Sequence, residues 1–182
     1  KKVSIGAAGS GVYFNAIDIL GAAGLAETDI QPQYQSFADS ADALKDGKID
    51  AAFIVAGAPT PAIQELCTTS KAYLVPIDGD IAAKLMAASP YYTTYKVPAG
   101  TYNGQTEDVT TVAVKATLIV STAASEADVY AITKAVFEDP SKIAHAKSAE
   151  LSLENATQGI AVPFHAGAAK YFAEKNITVE TK

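Results

Sequence analysis

There is no arginine in this chain: all 14 of its basic residues are lysines. That absence removes the planar, five-donor fork with which proteins most often grip carboxylate or phosphate. An anion held here must therefore be met by backbone N–H groups, hydroxyls or a lysine. Cysteine is nearly absent too. Cys67 stands alone, which excludes an intramolecular disulfide and a cysteine metal centre and reads as a small apolar filler near a helix end. No apolar run approaches the roughly 18 residues needed to span a bilayer, and no signal peptide is visible in the 182 residues. Excess positive charge is also missing. A net charge of -6 argues against sequence-independent binding to nucleic acid, which needs a concentrated basic surface. There is no internal repeat and no low-complexity segment.

What is there begins at once. Residues 3–6 read as a buried strand that runs into Gly6-Ala7-Ala8-Gly9-Ser10-Gly11, and a helix follows over about 11–23 with Val12, Ala16, Leu20 and Ala23 on one face. Such a turn gathers several N–H groups at a helix start, where the helix dipole favours negative charge. Two readings stand side by side. In one the turn is architecture, with Ser10 a simple N-cap contributing about 1 kcal/mol. In the other it is an anion cradle, each charge-assisted hydrogen bond contributing about 1.5–3 kcal/mol. Spacing alone leaves both open.

Strand and helix signals alternate through the first half. Strands are expected at 30–35, 50–55 and 72–76. Between them, Ser40 is expected to cap a short helix carrying Ala41 and Leu44, stopped by Gly47, and Thr60 with Pro61 to open a helix ending near Leu66. This β-α-β-α-β order predicts a parallel sheet covered on both faces, with ligands beyond the carboxyl ends of its strands. After a helix over about 80–88, the pattern changes. Tyr91, Tyr92, Tyr95 and Tyr102, with Pro90, Pro98, Gly100 and Gly104, make an aromatic, turn-rich connector that suits either a ligand cleft or a packed junction. Residues 109–121 read as one long extended segment crossing between lobes. Ser125 and Asp128 fit a capping box before a helix bearing Val129, Ile132 and Val136. Asp139-Pro140-Ser141 turns into another helix, and 163–175 form the last. These late helices have no run of strands beside them and call for a sheet from elsewhere or a neighbouring chain.

Several sharper motifs fail. The glycines do not follow G-x-G-x-x-G, Gln35 stands where a dinucleotide site would close the second strand with an acid, and the Walker lysine is missing. Ala8 and Val12 flank Ser10 where a nucleophile elbow has glycines. His145 reads as a surface histidine and His165 as structural; neither has a helix-spaced metal partner. The triplets Asn155-Ala156-Thr157 and Asn176-Ile177-Thr178 match glycosylation acceptors but are short enough to arise by chance. No paired carboxylates stand out, so nothing here speaks for catalysis.

Taken together, particular segments resemble a known family. Lys2-Val3-Ser4-Ile5-Gly6 with Gly9-Ser10-Gly11, Leu44-Lys45-Asp46-Gly47-Lys48-Ile49-Asp50-Ala51-Ala52-Phe53 and Ala56-Gly57-Ala58-Pro59 are similar to the solute-binding proteins of TAXI-type TRAP transporters. So are Pro98-Ala99-Gly100-Thr101-Tyr102, the run from Val129 to Phe137, and Pro163-Phe164-His165-Ala166-Gly167-Ala168. The likeness covers nearly the whole chain in order.

The resemblance implies an α/β fold of the type II periplasmic-binding-protein class, two lobes closing on a small ligand. Within it, 1–108 would be the second ligand-binding lobe, a complete three-layer α/β unit with the aromatic connector from about 89. Residues 109–182 would supply the crossing strand and C-terminal helices of the first lobe, most of which would lie before the present Lys1. The implied function is an extracytoplasmic subunit, periplasmic or membrane-anchored outside the cell. It would capture glutamate or a related small carboxylate without chemistry and without cofactor or metal, and deliver it to TRAP membrane permease subunits. Gly9, Ser10 and Gly11 would meet the ligand's anionic end, with Val12 (where the family often has Thr) and Tyr13 beside them. Gly57, Ala58 and Pro59 would form the neighbouring wall. Self-association through surfaces left open is expected. Two rivals share the scaffold. One is the effector-binding domain of a transcription regulator, which needs a DNA-binding segment not seen here. The other is an enzyme, which needs a lysine, cysteine or carboxylate pair in the cleft.

Overall fold

Alternation along the first strand sets the layering. β1 (Lys2–Ser4) continues into Ile5, so Val3 and Ile5 share one face and Ser4 takes the other. Val3 and Ile5 are buried against Ala16 of α1 (Gly11–Ala22), with Tyr13, Ile30 and Phe53 packed around them. On the opposite face Ser4 meets Ser40 of α2 (Phe37–Lys45), Oγ to Oγ at 2.7 Å, both side chains fully shielded. Ser40 donates its one hydroxyl proton to Ser36 O, so Ser4 is the donor of the buried pair.

The computed structural model describes residues 1–144, 146–160 and 162–181. His145, expected at the surface, lies outside the described residues. The chain forms two compact units, residues 1–114 and 115–182.

In the first unit β1 is the middle strand of a parallel sheet ordered β2-β1-β3, where β2 is Gln31–Gln33 and β3 is Ala51–Ala52. Lys2 pairs with Gln31 and Ser4 with Gln33 on one side; Val3 pairs with Ala51 and Ser4 with Ala52 on the other. The chain thus leaves β1 through α1 to one neighbour, then crosses through α2 to the other. α3 (Pro61–Thr69) and α4 (Gly79–Ala88) follow, then an antiparallel hairpin of β4 (Tyr92–Val97) and β5 (Val109–Val114). Val97 and Tyr102 of the hairpin region bury Ile63 and Cys67 of α3, joined by Ile54, Ala58, Ala72, Leu74 and Tyr95. Burial pushes the Cys67 thiol pKa up, as expected of a packing residue.

In the second unit α5 (Glu126–Glu138) packs on α6 (Ala166–Glu174) through the rings of Tyr130, Phe137, Tyr171 and Phe172. Ser125 caps α5 by accepting the Asp128 N–H at 3.1 Å. Gly167 lets the helices touch: a Cβ there would lie 2.3 Å from the Glu126 carbonyl oxygen and 2.7 Å from the Tyr130 nitrogen.

Four expectations need correction. Ser40 does not cap α2; Ser36 does, accepting the Asp39 N–H at 3.2 Å, which frees Ser40 for the buried contact with Ser4. Residues 72–76 are extended but form no ladder. Ala72 and Leu74 turn onto the α3–hairpin cluster and Ile77 donates its N–H to Thr110 O at 3.1 Å, so the segment is tied to the hairpin rather than to β3. The strand beginning at Val109 ends at Val114, opposite Tyr92 where its antiparallel partner β4 begins, and 115–120 continue without strand pairing. Finally, among the described residues the chain from Pro140 does not form the α-helix expected after Asp139-Pro140-Ser141. It makes short 3-10 turns there, Pro140–Lys142 and Ala146–Glu150.

Candidate functional site

In open parallel sheets the place where successive connections diverge to opposite sides leaves a crevice at the strands' carboxyl ends. Here that place lies between β1 and β3. The Gly6–Gly11 turn leaves β1 and residues 54–60 leave β3 at that same end, level with one another because Phe53 donates its N–H to Ser4 O at 2.8 Å. The fold therefore brings Gly9, Ser10 and Gly11 to one side of this end and Gly57, Ala58 and Pro59 to the other.

The opening turn is shaped by Gly6. Its φ of +91° suits glycine, and a Cβ there would sit 2.6 Å from Val12 Cβ and 2.8 Å from Ser10 Oγ. Gly9 (φ +77°) also takes the left-handed region, but with open space around it. Ser10 occupies the N-cap position with extended backbone, yet its hydroxyl makes no cap bond. Its Oγ is shielded from solvent and has no hydrogen-bond partner among the described residues. Tyr13 donates its N–H to Ser10 O at 3.2 Å, while the N–H groups of Gly11 and Val12 receive no acceptor among the described residues. This is an uncapped helix start beside an unmatched hydroxyl.

The second wall is built differently. Thr60 caps no backbone N–H with its side chain; its hydroxyl donates back to Gly57 O at 3.1 Å. Its own buried N–H donates to the Tyr102 hydroxyl at 3.0 Å. Like α1, α3 thus starts without a side-chain cap, its N-cap N–H held by Tyr102 and its first residue, Pro61, having no N–H; Gly57, Ala58 and Pro59, with a cis Ala58–Pro59 peptide, lead into it.

Tyr13 and the connector tyrosines are placed mainly by packing. The Tyr13 ring lies in the β1–α1 core and its hydroxyl donates to Glu27 Oε2 at 2.8 Å; Tyr34 donates to Oε1 at 2.6 Å. The Tyr34 and Tyr13 hydrogen bonds hold the Glu27 carboxyl below its ordinary pKa. Tyr92 is buried, accepts from Asn15 Nδ2 and donates to Asp18 Oδ2, both at 2.7 Å. Desolvation and the Asp18 carboxylate push it up to about 12 against the opposing Asn15 bond. His165 is structural: its Nδ1 accepts the Gly167 N–H at 3.1 Å and caps α6. Asn176 sits at φ +61° just past α6, a turn position.

Gln35 was noted in the sequence only as a missing acid. Its Oε1 is the other buried side-chain atom that lacks a partner among the described residues. The alternation Gln31, Gln33, Gln35 along and beyond β2 was the signal that could have placed it at this end. A separate concavity of about 320 Å³ opens at the amino end of the sheet, between Lys2, Gln31, Lys48 and Asp50. Most of its charges are paired: Asp50 holds Lys1 Nζ and the Lys2 backbone N–H, and Asp46 holds Lys48, while the Lys2 ammonium has no ion pair among the described residues. The carboxyl end carries the unmatched groups and is the better candidate. Among the described residues no set of three or more His, Cys, Asp or Glu converges as a metal would require. No described helix is long and apolar enough to cross a membrane.

A family model described as the NMT1-like family matches residues 1–175. The chain belongs to the NMT1-like family. This is a periplasmic-binding-like family, and the mixed α/β architecture with its parallel sheet is consistent with an NMT1-like binding domain. Membership points to a solute-binding domain.

Proposed function

We propose that this chain is the ligand-binding part of an extracytoplasmic solute-binding protein of a TAXI-type TRAP transporter. It captures a small carboxylate, such as glutamate or a related acid, and presents it to membrane permease subunits without altering it. One observation carries the reading. At the sheet's switch point α1 begins uncapped, with the Gly11 and Val12 N–H groups and the Ser10 hydroxyl unmatched. An unpaired shielded hydroxyl costs about 1–3 kcal/mol, a cost that an arriving anion offsets when the side chain turns to donate to it. A chain without arginine needs such a dipolar cradle. The ordered run of family-like segments from Lys2 to Ala168 supports the transporter assignment.

Calorimetric titration of the chain with L-glutamate, glutarate, succinate and acetate tests this. Binding of at least one dicarboxylate is expected, weakened by roughly 1–3 kcal/mol in Ser10→Ala, with ligand recovered unchanged. A panel that gives no heat, or Ser10→Ala binding as tightly as the parent, overturns the site. A chemically altered ligand overturns the binding-only role.

A further inference from the structure

We infer that Asn103 is a site of spontaneous self-modification, at which Gly104 turns the amide holding the end of α3 into a carboxylate that releases it.

Two adjacent residues of the hairpin loop bracket α3. The Tyr102 hydroxyl accepts the Thr60 N–H just before the helix, and Asn103 Nδ2 donates to Cys67 O in its last turn at 3.1 Å. Cys67 O is one of the carbonyls that a helix leaves without an internal donor. Among the described residues no other donor reaches it.

The attacking group stands next door. Gln105 donates its N–H to Tyr102 O at 3.1 Å, so Asn103 and Gly104 are the central pair of a tight turn, both exposed. The Gly104 N–H meets no acceptor among the described residues, and nothing lies within 4 Å of where its Cβ would be. Glycine has no side chain to hinder attack on the preceding amide. Asn15, Asn155 and Asn176 are followed by Ala16, Ala156 and Ile177, whose side chains crowd that approach.

The reaction needs only water. The Gly104 nitrogen gives up its proton and bonds to Asn103 Cγ; the Cγ–Nδ2 bond breaks and ammonia leaves with that proton, closing a succinimide. Water then opens one of the two ring C–N bonds, its hydroxyl going to carbon and its proton to nitrogen. Residue 103 becomes aspartate or its isoaspartyl isomer, and nothing is oxidised or reduced. A carboxylate has no proton to give Cys67 O, and its charge lies at the negative end of the α3 dipole. The hydrogen bond thus slows the reaction while intact and is lost through it.

The tryptic peptide 97–115 holds Asn103 as its only asparagine. After weeks in mildly alkaline buffer, mass spectrometry of the folded chain should show this peptide gaining acid and isoaspartyl linkage before any other. Conversion should be slower than in a urea-unfolded sample. Asn103→Asp should lower the thermal midpoint by about 2–4 °C at neutral pH. That deficit should shrink below about pH 4, where the protonated acid can donate to Cys67 O. A peptide left unchanged in the folded chain overturns the inference, as does conversion at the unfolded rate. So does an Asn103→Asp deficit that is absent or constant with pH.

Discussion

The Tyr102 hydroxyl accepts the backbone N–H of Thr60 at 3.0 Å, closing the start of α3 from a loop 42 residues further along. At the same end of the sheet the corresponding N–H of α1, that of Ser10, is held by the Ala7 carbonyl at 3.0 Å. Removing the hydroxyl leaves a buried N–H without an acceptor. Tyr102→Phe is expected to lower stability by about 1–3 kcal/mol in urea unfolding followed by circular dichroism. An unchanged midpoint would mean that water replaces the phenol.

Gly6 and Gly9 make a controlled comparison within one turn. Both have positive φ, so alanine at either costs about 1–2 kcal/mol in backbone terms. Only at Gly6 does the new methyl also meet Val12 and Ser10, adding about 1–3 kcal/mol of overpacking. Gly6→Ala should therefore be clearly the more destabilising of the two. Equal midpoints for the two variants would show that the turn yields and that steric crowding at Gly6 is relieved.

Tyr92 makes stability sensitive to alkali. Its folded pKa, about 12, stands above its ordinary 10.0, so the folded state favours the protonated phenol. That contribution is complete below pH 10 and is lost as pH rises from about 10 to 12. Tyr92→Phe should be less stable than the parent by about 1–3 kcal/mol at pH 7, with the gap closing across that alkaline window. A gap that stays constant to pH 12 would assign the effect to packing.

In the second unit Gly167→Ala places a methyl against backbone atoms, which cannot turn aside as a side chain would. Parting of α5 from α6 is expected to cost about 2–4 kcal/mol. His165→Ala removes the α6 cap and the Nε2 hydrogen bond to Ala124 O at 3.2 Å, and should cost about 1–2 kcal/mol. Hydrogen exchange on α5 and α6 reads both, and a reversed order would mean that the cap, not the close approach, holds the pair.

Local chemistry made much of this legible. The Gly-Ser turn, Thr60-Pro61 and Ser125 with Asp128 each announced a helix start because the determinants lie within four residues. The helix beginning at Gly79 was likewise visible in its apolar spacing. What depended on distant partners was not legible. Ser36 and Ser40 are both plausible caps, and only the approach of Ser4 in β1 decides which is freed. Residues 72–76 have the composition of a strand, yet anchorage of Ala72 and Leu74 on the α3–hairpin cluster accompanies the missing ladder. At the site, residue types pointed to the opening turn, but Gln35 drew notice only for what it was not. Its weight comes from an unpaired oxygen, and pairing is a property of three-dimensional neighbours.

The opening turn has a kinetic consequence. Its pull on an anion comes from N–H dipoles and a hydroxyl, which fade within a few ångströms, whereas the chain's net charge of -6 acts over a Debye length of about 10 Å. On the proposed capture reading, a dicarboxylate is thus repelled at a distance and attracted only on arrival. Added salt screens the repulsion and leaves the short-range dipoles nearly untouched, so capture should quicken as ionic strength rises. Electrostatically steered encounters behave the other way.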